Sequence, residues 1–171
     1  MPDTAGVRLC AAFPDAGLVR SEAHGDDVVT LPREALLSAL RFLHEQCGFD
    51  LPLDVTAVDR SLLGPGPRFE VVYHLRSLAQ RAIIRLKVLV DEADAVVPSA
   101  TSVYQGLNWF EREVFDMFGI RFDGHPDLRR ILLYPEFVGH PLRKDYPVRG
   151  YQPRIPMADL KGDPVPGREE A

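Results

Sequence analysis

Between Leu53 and Val90, three runs of the chain alternate apolar and polar side chains. In RFEVVYHL the residues Phe69, Val71, Tyr73 and Leu75 fall on one face, and in RAIIRLKVLV so do Ala82, Ile84, Leu86, Val88 and Val90; the earlier run LDVTAVDRSL has the same period. A period of two marks strands with one buried face. Gly64-Pro65-Gly66-Pro67 parts the first two runs and a polar stretch from Ser77 to Arg81 parts the next, so the pattern predicts an antiparallel meander. Its apolar face needs a cover. Upstream, Pro32 and Glu34 open a helical stripe of Leu36, Leu37, Leu40, Leu43 and Cys47 that stops at Gly48. Before that helix, LVRSEA and DVVTL flank His24-Gly25-Asp26, which predicts two short strands and a tight hairpin.

From Pro98 to Gly119 the spacing becomes helical again, with Leu107, Phe110, Val114, Phe115 and Phe118 on a stripe and Trp109, expected to pack in the core, beside it. Beyond Arg121 neither period survives. Eight of the fifteen prolines follow residue 125, so the end of the chain forms no long helix or central strand. The expected architecture is α+β in two layers over residues 1–122, helices packed on a mixed or antiparallel sheet. Residues 123–171 are expected to be an extended, basic, proline-rich tail that docks on a partner. Ordering backbone costs about 1–2 kcal/mol per residue, and this tail has few apolar side chains to offset that by itself. A proline-preset, extended chain loses less entropy on docking.

With 46% apolar and 26% charged residues in 171, the chain has the makings of one soluble domain. Cys10 and Cys47 are the only cysteines and form no CxxC, so the sequence holds no four-cysteine zinc site and no ligand set for an iron–sulfur cluster. The first residues lack the basic and apolar regions of a secretory signal. The most apolar run, AIIRLKVLV, is interrupted by Arg85 and Lys87 and falls short of the roughly eighteen apolar residues of a membrane span. Net charge is −5, which speaks against a nucleic-acid binder. Locally the sign reverses: Arg121 to Arg154 holds seven basic residues against four acidic ones.

That basic stretch contains a near-repeat. Gly124-His125-Pro126 leads to Leu128-Arg129-Arg130, and Gly139-His140-Pro141 leads to Leu142-Arg143-Lys144. A metal site, an anion site and a docking surface are the candidate meanings. His125 and His140 with Asp123, Asp127 or Asp145 offer nitrogen and oxygen ligands, but at no recognised ligand spacing. A hydrolase would use one of these histidines with a carboxylate, yet there is no Gly-x-Ser-x-Gly and neither cysteine lies near His125 or His140 in the sequence. No Walker A or GxGxxG loop is present, and phosphate or RNA binding would rest on the basic stretch alone. Glu111, Arg112, Glu113 and Asp116 lie among Trp109, Phe110, Val114, Phe115, Met117 and Phe118, with Glu113 and Asp116 expected on a shared face. Carboxylates in such surroundings need arginine partners, and Arg129, Arg130 and Arg143 are the candidates.

The run NWFEREVFDMFGIRFDGHPDLRRILLYPEFVGHPLRKDYPV resembles the thirty-kilodalton-type (C) subunit family of respiratory complex I, the proton-pumping NADH:quinone oxidoreductase. The resemblance is carried by Glu111-Arg112-Glu113, Asp116-Met117-Phe118-Gly119, His125-Pro126, Leu128-Arg129-Arg130-Ile131-Leu132 and Gly139 to Pro147, including Asp145. It implies a scaffold in the peripheral arm that carries no cofactor of its own, while iron–sulfur clusters, FMN and quinone sit elsewhere in the assembly. It also implies contact with the forty-nine-kilodalton-type (D) subunit, neighbours of the iron–sulfur B and I types, and a peripheral place on the cytoplasmic face of a bacterial inner membrane. Related membrane-bound hydrogenases and ferredoxin:quinone complexes share the family. The absence of a fused D-type domain favours the quinone-reductase branch with a separate partner. On this reading the first Gly-His-Pro turn brings an arginine to the helix of Glu111 and Asp116, and Arg143 and Lys144 serve carboxylates of the partner.

Overall fold

The computed structural model describes residues 4–152. Val19–Ala23 (β1) and Asp26–Leu31 (β2) form the hairpin, and His24 and Gly25 between them have φ of 57° and 86°. Two positive φ values in a two-residue loop match the right-handed twist of the strands, and an Asx-like histidine next to glycine tolerates them. Leu51–Asp59 (β3), Phe69–Ser77 (β4) and Ala82–Val90 (β5) form the meander. The five strands are ordered β1-β2-β5-β4-β3, antiparallel except where β2 runs parallel to β5, so the sheet is mixed.

Register turns the period-two pattern into rows. Val29, Leu86, Tyr73 and Val55 lie side by side across four strands, as do Leu31, Val88, Val71 and Ala57, and all eight are buried. A helix over Leu36–Cys47 supplies Leu36, Leu40, Leu43 and Cys47 to the same core; a shorter one precedes it in the chain, so the two are α2 and α1. A fully buried Leu or Val contributes about 1.5–3 kcal/mol relative to exposure. α2 ends as its sequence dictates: Gly48 adopts φ 67° and its N–H bonds the Leu43 carbonyl. The opposite face of the sheet carries polar side chains in a chain of bonds, with Arg85 Nε donating to His74 Nε2 at 2.8 Å and His74 Nδ1 donating to Asp54 at 2.5 Å.

The shorter helix has no forecast in the pattern. Ala5–Ala12 (α1), capped by Thr4, buries only Gly6 and Leu9. A Cβ on Gly6 would lie 2.5 Å from the Asp27 carboxylate, which instead accepts the Gly6 N–H. Val96–Pro98 (β6) and Arg121–Asp123 (β7) pair in parallel, and between them lie two short 3₁₀ turns and Asn108–Phe118 (α3). The helical run predicted from Pro98 is thus a true α-helix only from Asn108. Trp109 departs from expectation, standing 70% exposed instead of packing in the core. Residues 124–152 contain no helix or strand, but the chain folds back in turns against α3 and the β3–β4 region. The proline-rich tail from 153 onward lies outside the described residues.

Candidate functional site: a clasp built on helix α3

Glu111 and Asp116 both point into the protein and both are fully buried, whereas Glu113 is exposed. Glu113 and Asp116 therefore do not share an environment; the boundary between core and solvent runs between them. The Asp116 carboxylate has four donors. Arg130 Nη1 reaches Oδ1 at 2.6 Å, and the backbone N–H groups of Ile131, Leu132 and Leu133 converge on Oδ2 at 3.1, 2.9 and 2.9 Å. Three successive N–H groups around one oxygen form an anion-binding concavity, here closed on a residue of the same chain. Burial pushes this carboxyl up, but the three amides and Arg130 outweigh it and hold Asp116 below the usual carboxylate range.

Glu111 has the opposite balance. Ser99 Oγ and the Ala100 N–H each reach its carboxylate at 2.6 Å, and His125 Nε2 is 4.0 Å away. Burial dominates these bonds and pushes Glu111 up to about 7. The hydroxyl of Tyr73, buried without a hydrogen-bond partner among the described residues, is raised well above its usual value by burial and by the Glu111 charge.

The repeated Gly-His-Pro turns grip opposite ends of α3. His125 accepts the Asp127 N–H at Nδ1 (3.0 Å), which assigns the ring proton to Nε2, where it meets the Asn108 carbonyl at 3.1 Å. At the other end the last carbonyls of α3 have no partner within the helix. Each finds a donor from the second repeat: His140 Nδ1 to Asp116 O at 2.9 Å, Leu142 N to Met117 O at 3.1 Å, and Arg143 Nε to Phe118 O at 2.6 Å. Burial lowers the His140 pKa, with the nearby Arg143 and Arg130 charges acting in the same direction, so the ring is held neutral with its proton on Nδ1. Gly119, at φ 76°, leaves room for this approach, since a Cβ there would lie 2.6 Å from His140 Nε2.

In the second basic pair, Arg143 also reaches Glu92 at 3.4 Å and lies over the Phe69 ring, so it is engaged within the chain, whereas the Lys144 side chain is exposed. Lys144 donates its backbone N–H to Asp59 at 2.9 Å. Asp59 is a hub that the sequence pattern did not single out. It is buried at an inward-facing position of β3 in line with Val55 and Ala57, and it binds Arg68 at 2.9 Å and the Ser61 N–H at 3.0 Å. Burial raises this carboxyl, but Arg68 and the two amides hold it well below the carboxylate range. Arg68 continues to Asp145 at 2.8 Å and Glu92 at 2.6 Å. A charge on the apolar face of an alternating strand was the available signal. Arg129 pairs with Asp127 at the surface; Pro126 is exposed and Pro141 half-buried. Among the described residues no group of three or more His, Cys, Asp or Glu side chains could hold a metal ion.

These features define an α+β domain whose charged motif ties a long irregular segment onto one helix, and comparison with known proteins narrows the class. The chain belongs to the family of the respiratory-chain NADH dehydrogenase 30 kDa subunit, whose model matches residues 29–152. The C-type subunit of NADH-quinone oxidoreductase from Trichlorobacter lovleyi is 50% identical over 153 residues, covering 88% of this chain and 93% of that one. The C/D-type subunit of NADH-quinone oxidoreductase from Methylococcus capsulatus is 43% identical over 149 residues, 82% of this chain and 25% of that longer one. Among solved structures, a trypsin-resistant fragment of Nqo5 is similar with a TM-score of 0.63 and 31% identity, over 73% of this chain and the whole of the fragment. No helix among the described residues is long and apolar enough to cross a membrane.

Proposed function

We propose that this chain is a cofactor-free scaffold subunit of the peripheral arm of a proton-translocating NADH:quinone oxidoreductase, peripheral on the cytoplasmic face of a bacterial inner membrane. Its place in that enzyme is to hold the D-type subunit, beside the iron–sulfur B- and I-type subunits, while electrons pass from NADH to quinone through cofactors carried by other chains. The observation that carries the reading is how residues 124–152 divide their side chains. His125, His140, Arg130 and Arg143 turn inward to α3, while Leu132, Val138, Leu142, Val148 and Tyr151 are left exposed. Apolar side chains displayed on a segment clamped this firmly suit a permanent neighbour. A relative whose name joins C and D supports the choice of neighbour. The histidines favour no hydrolase, because each ring is engaged with backbone groups.

The test is co-purification. The chain, tagged at its amino terminus and recovered from gently solubilised native membranes, is expected to bring down a D-type subunit and NADH:quinone reductase activity. Replacing Leu132 and Val148 with Asp is expected to lower that recovery at least about tenfold, as loss of central apolar contacts does, without changing the unfolding temperature of the purified chain. Recovery of the wild-type chain alone would refute the proposal.

A further inference from the structure

Along one flank of α3 the clasp covers the helix only in part, and the composition there is unusual for solvent-facing helix surface. Trp109 is exposed there, and one turn on lies Arg112. The Arg112 guanidinium is anchored by two carbonyls, Nε donating to Arg129 O at 3.1 Å and Nη2 to Arg130 O at 3.2 Å. Its neighbours Arg129 and Arg130 are matched with Asp127 and Asp116, but among the described residues Arg112 has no carboxylate partner. Beside it Phe115, Leu128, Ile131, Leu133 and Pro135 line a groove of about 460 Å³ that is open to solvent. Trp109, one turn before Arg112, lines a second depression with Pro126 and Gln105.

Tryptophan and arginine beside an apolar pocket are the residues that most often dominate binding at protein interfaces. The charges choose among occupants. A polyanion such as RNA would face the exposed Glu113 next to Arg112 and the exposed Glu136 next to Pro135. One unmatched guanidinium, fixed in position by two carbonyl bonds, suits one carboxylate.

We propose that this flank is a second docking surface, taken by a segment of a different polypeptide that seats an aliphatic or aromatic side chain in the Phe115–Leu133 groove and a carboxylate on Arg112. The inference rests on the reading of the chain as a subunit of an assembly, and it adds a contact in the groove between α3 and residues 128–135, next to the exposed Leu132. It is tested by placing the photo-reactive residue p-benzoylphenylalanine at Gln105, beside Trp109, or at Glu136, beside Pro135, and irradiating native membranes. The expected crosslink joins another polypeptide at a segment where Asp or Glu stands within two residues of a large apolar side chain. Trp109→Asp changes an exposed position and is expected to lower the crosslink yield about tenfold or more while the purified chain keeps its unfolding temperature. Arg112→Glu lowers it likewise, and Lys in place of the partner's carboxylate restores it. Crosslinks confined to this chain or to a second copy, crosslinks to RNA or to a segment without a carboxylate, no crosslink at all, or an unchanged yield in Trp109→Asp each overturn the proposal. If the unsubstituted chain does not migrate with the membrane complex, the subunit reading fails; if it does and the crosslinks fall elsewhere, only this surface fails.

Discussion

Glu111 and Asp116 stand on one short helix, both without solvent contact, and their carboxyls are displaced in opposite directions. Asp116 has four donors, one of them a guanidinium, whereas Glu111 has two and lies deeper in the protein. A carboxyl raised from 4.5 to about 7 on folding stabilises the fold fully below the unfolded value, and that contribution is lost as pH rises through about 7. Asp116 and Asp59 are displaced downward from 3.8, so their contribution is present above that value and is lost as pH falls through their lower folded-state values. Urea unfolding is therefore expected to show stability declining from mildly acidic to alkaline pH, by about 3 kcal/mol for Glu111 if its shift is fully expressed. His140, lowered from 6.5 by burial, adds the opposite slope at acidic pH, so the informative comparison is wild type with Glu111→Gln. The glutamine keeps an acceptor for the Ala100 N–H and is expected to flatten the decline between pH 5 and about 8. An identical slope in both proteins would mean that Glu111 keeps its charge when buried.

At the scale of the element, α3 is a helix finished by another part of the chain. Its own sequence supplies Gly119 as a stop, and His140, Leu142 and Arg143 supply the caps from more than twenty positions away. Gly119 is the point where the two meet. A side chain there is strained by the positive φ and collides with His140. Gly124 has nearly the same φ, 78°, but nothing within 4 Å of a Cβ, so it isolates the backbone term. Gly124→Ala is expected to cost about 1–2 kcal/mol, and Gly119→Ala about 1–3 kcal/mol more. Limited proteolysis by trypsin, with its sites at Arg143 and Lys144, is expected to quicken only in Gly119→Ala. Equal losses in the two variants would show that the ring of His140 yields without penalty.

The same scale explains what was legible. Strands β3 to β5 and helix α2 announce themselves because a single periodic pattern coincides with a single buried face. α1 does not, since two buried positions in eight residues make no stripe, and its anchor is a glycine packed on Asp27. The carboxylate-to-arginine expectation holds for Asp116 and Arg130, where burial demanded a partner. It did not foresee that Arg143 caps the Phe118 carbonyl, because the unpaired carbonyls at the end of α3 and the bond from the Lys144 backbone N–H to Asp59 depend on which loops meet in space. Trp109 was misplaced because its hydrophobicity says nothing of which flank of α3 the neighbouring segment covers.

For the whole molecule, the question is whether residues 124–152 are an appendage or part of the fold. Composition and proline content suggest a boundary near 122, but the bonds cross it at both ends of α3 and again at Asp59. Removing the segment would leave the Asp116 carboxylate without Arg130 and three amides, and would strip the cap from the end of the helix nearest it. Breaking a buried charge pair by deleting one partner typically costs about 3–5 kcal/mol, a large share of the 5–15 kcal/mol that stabilises a domain. A chain ending at residue 122 is thus expected to lose cooperative thermal unfolding, while one ending at residue 152 keeps the unfolding temperature of the full chain. If the 122-residue chain instead unfolds as the full chain does, the clasp is an adaptation for docking laid over an already complete domain. If only the longer chain folds, the surface offered to neighbouring subunits is rigid before they arrive. Assembly would then cost little ordering entropy at this site, which is the physical advantage of a scaffold over a tail that folds on contact.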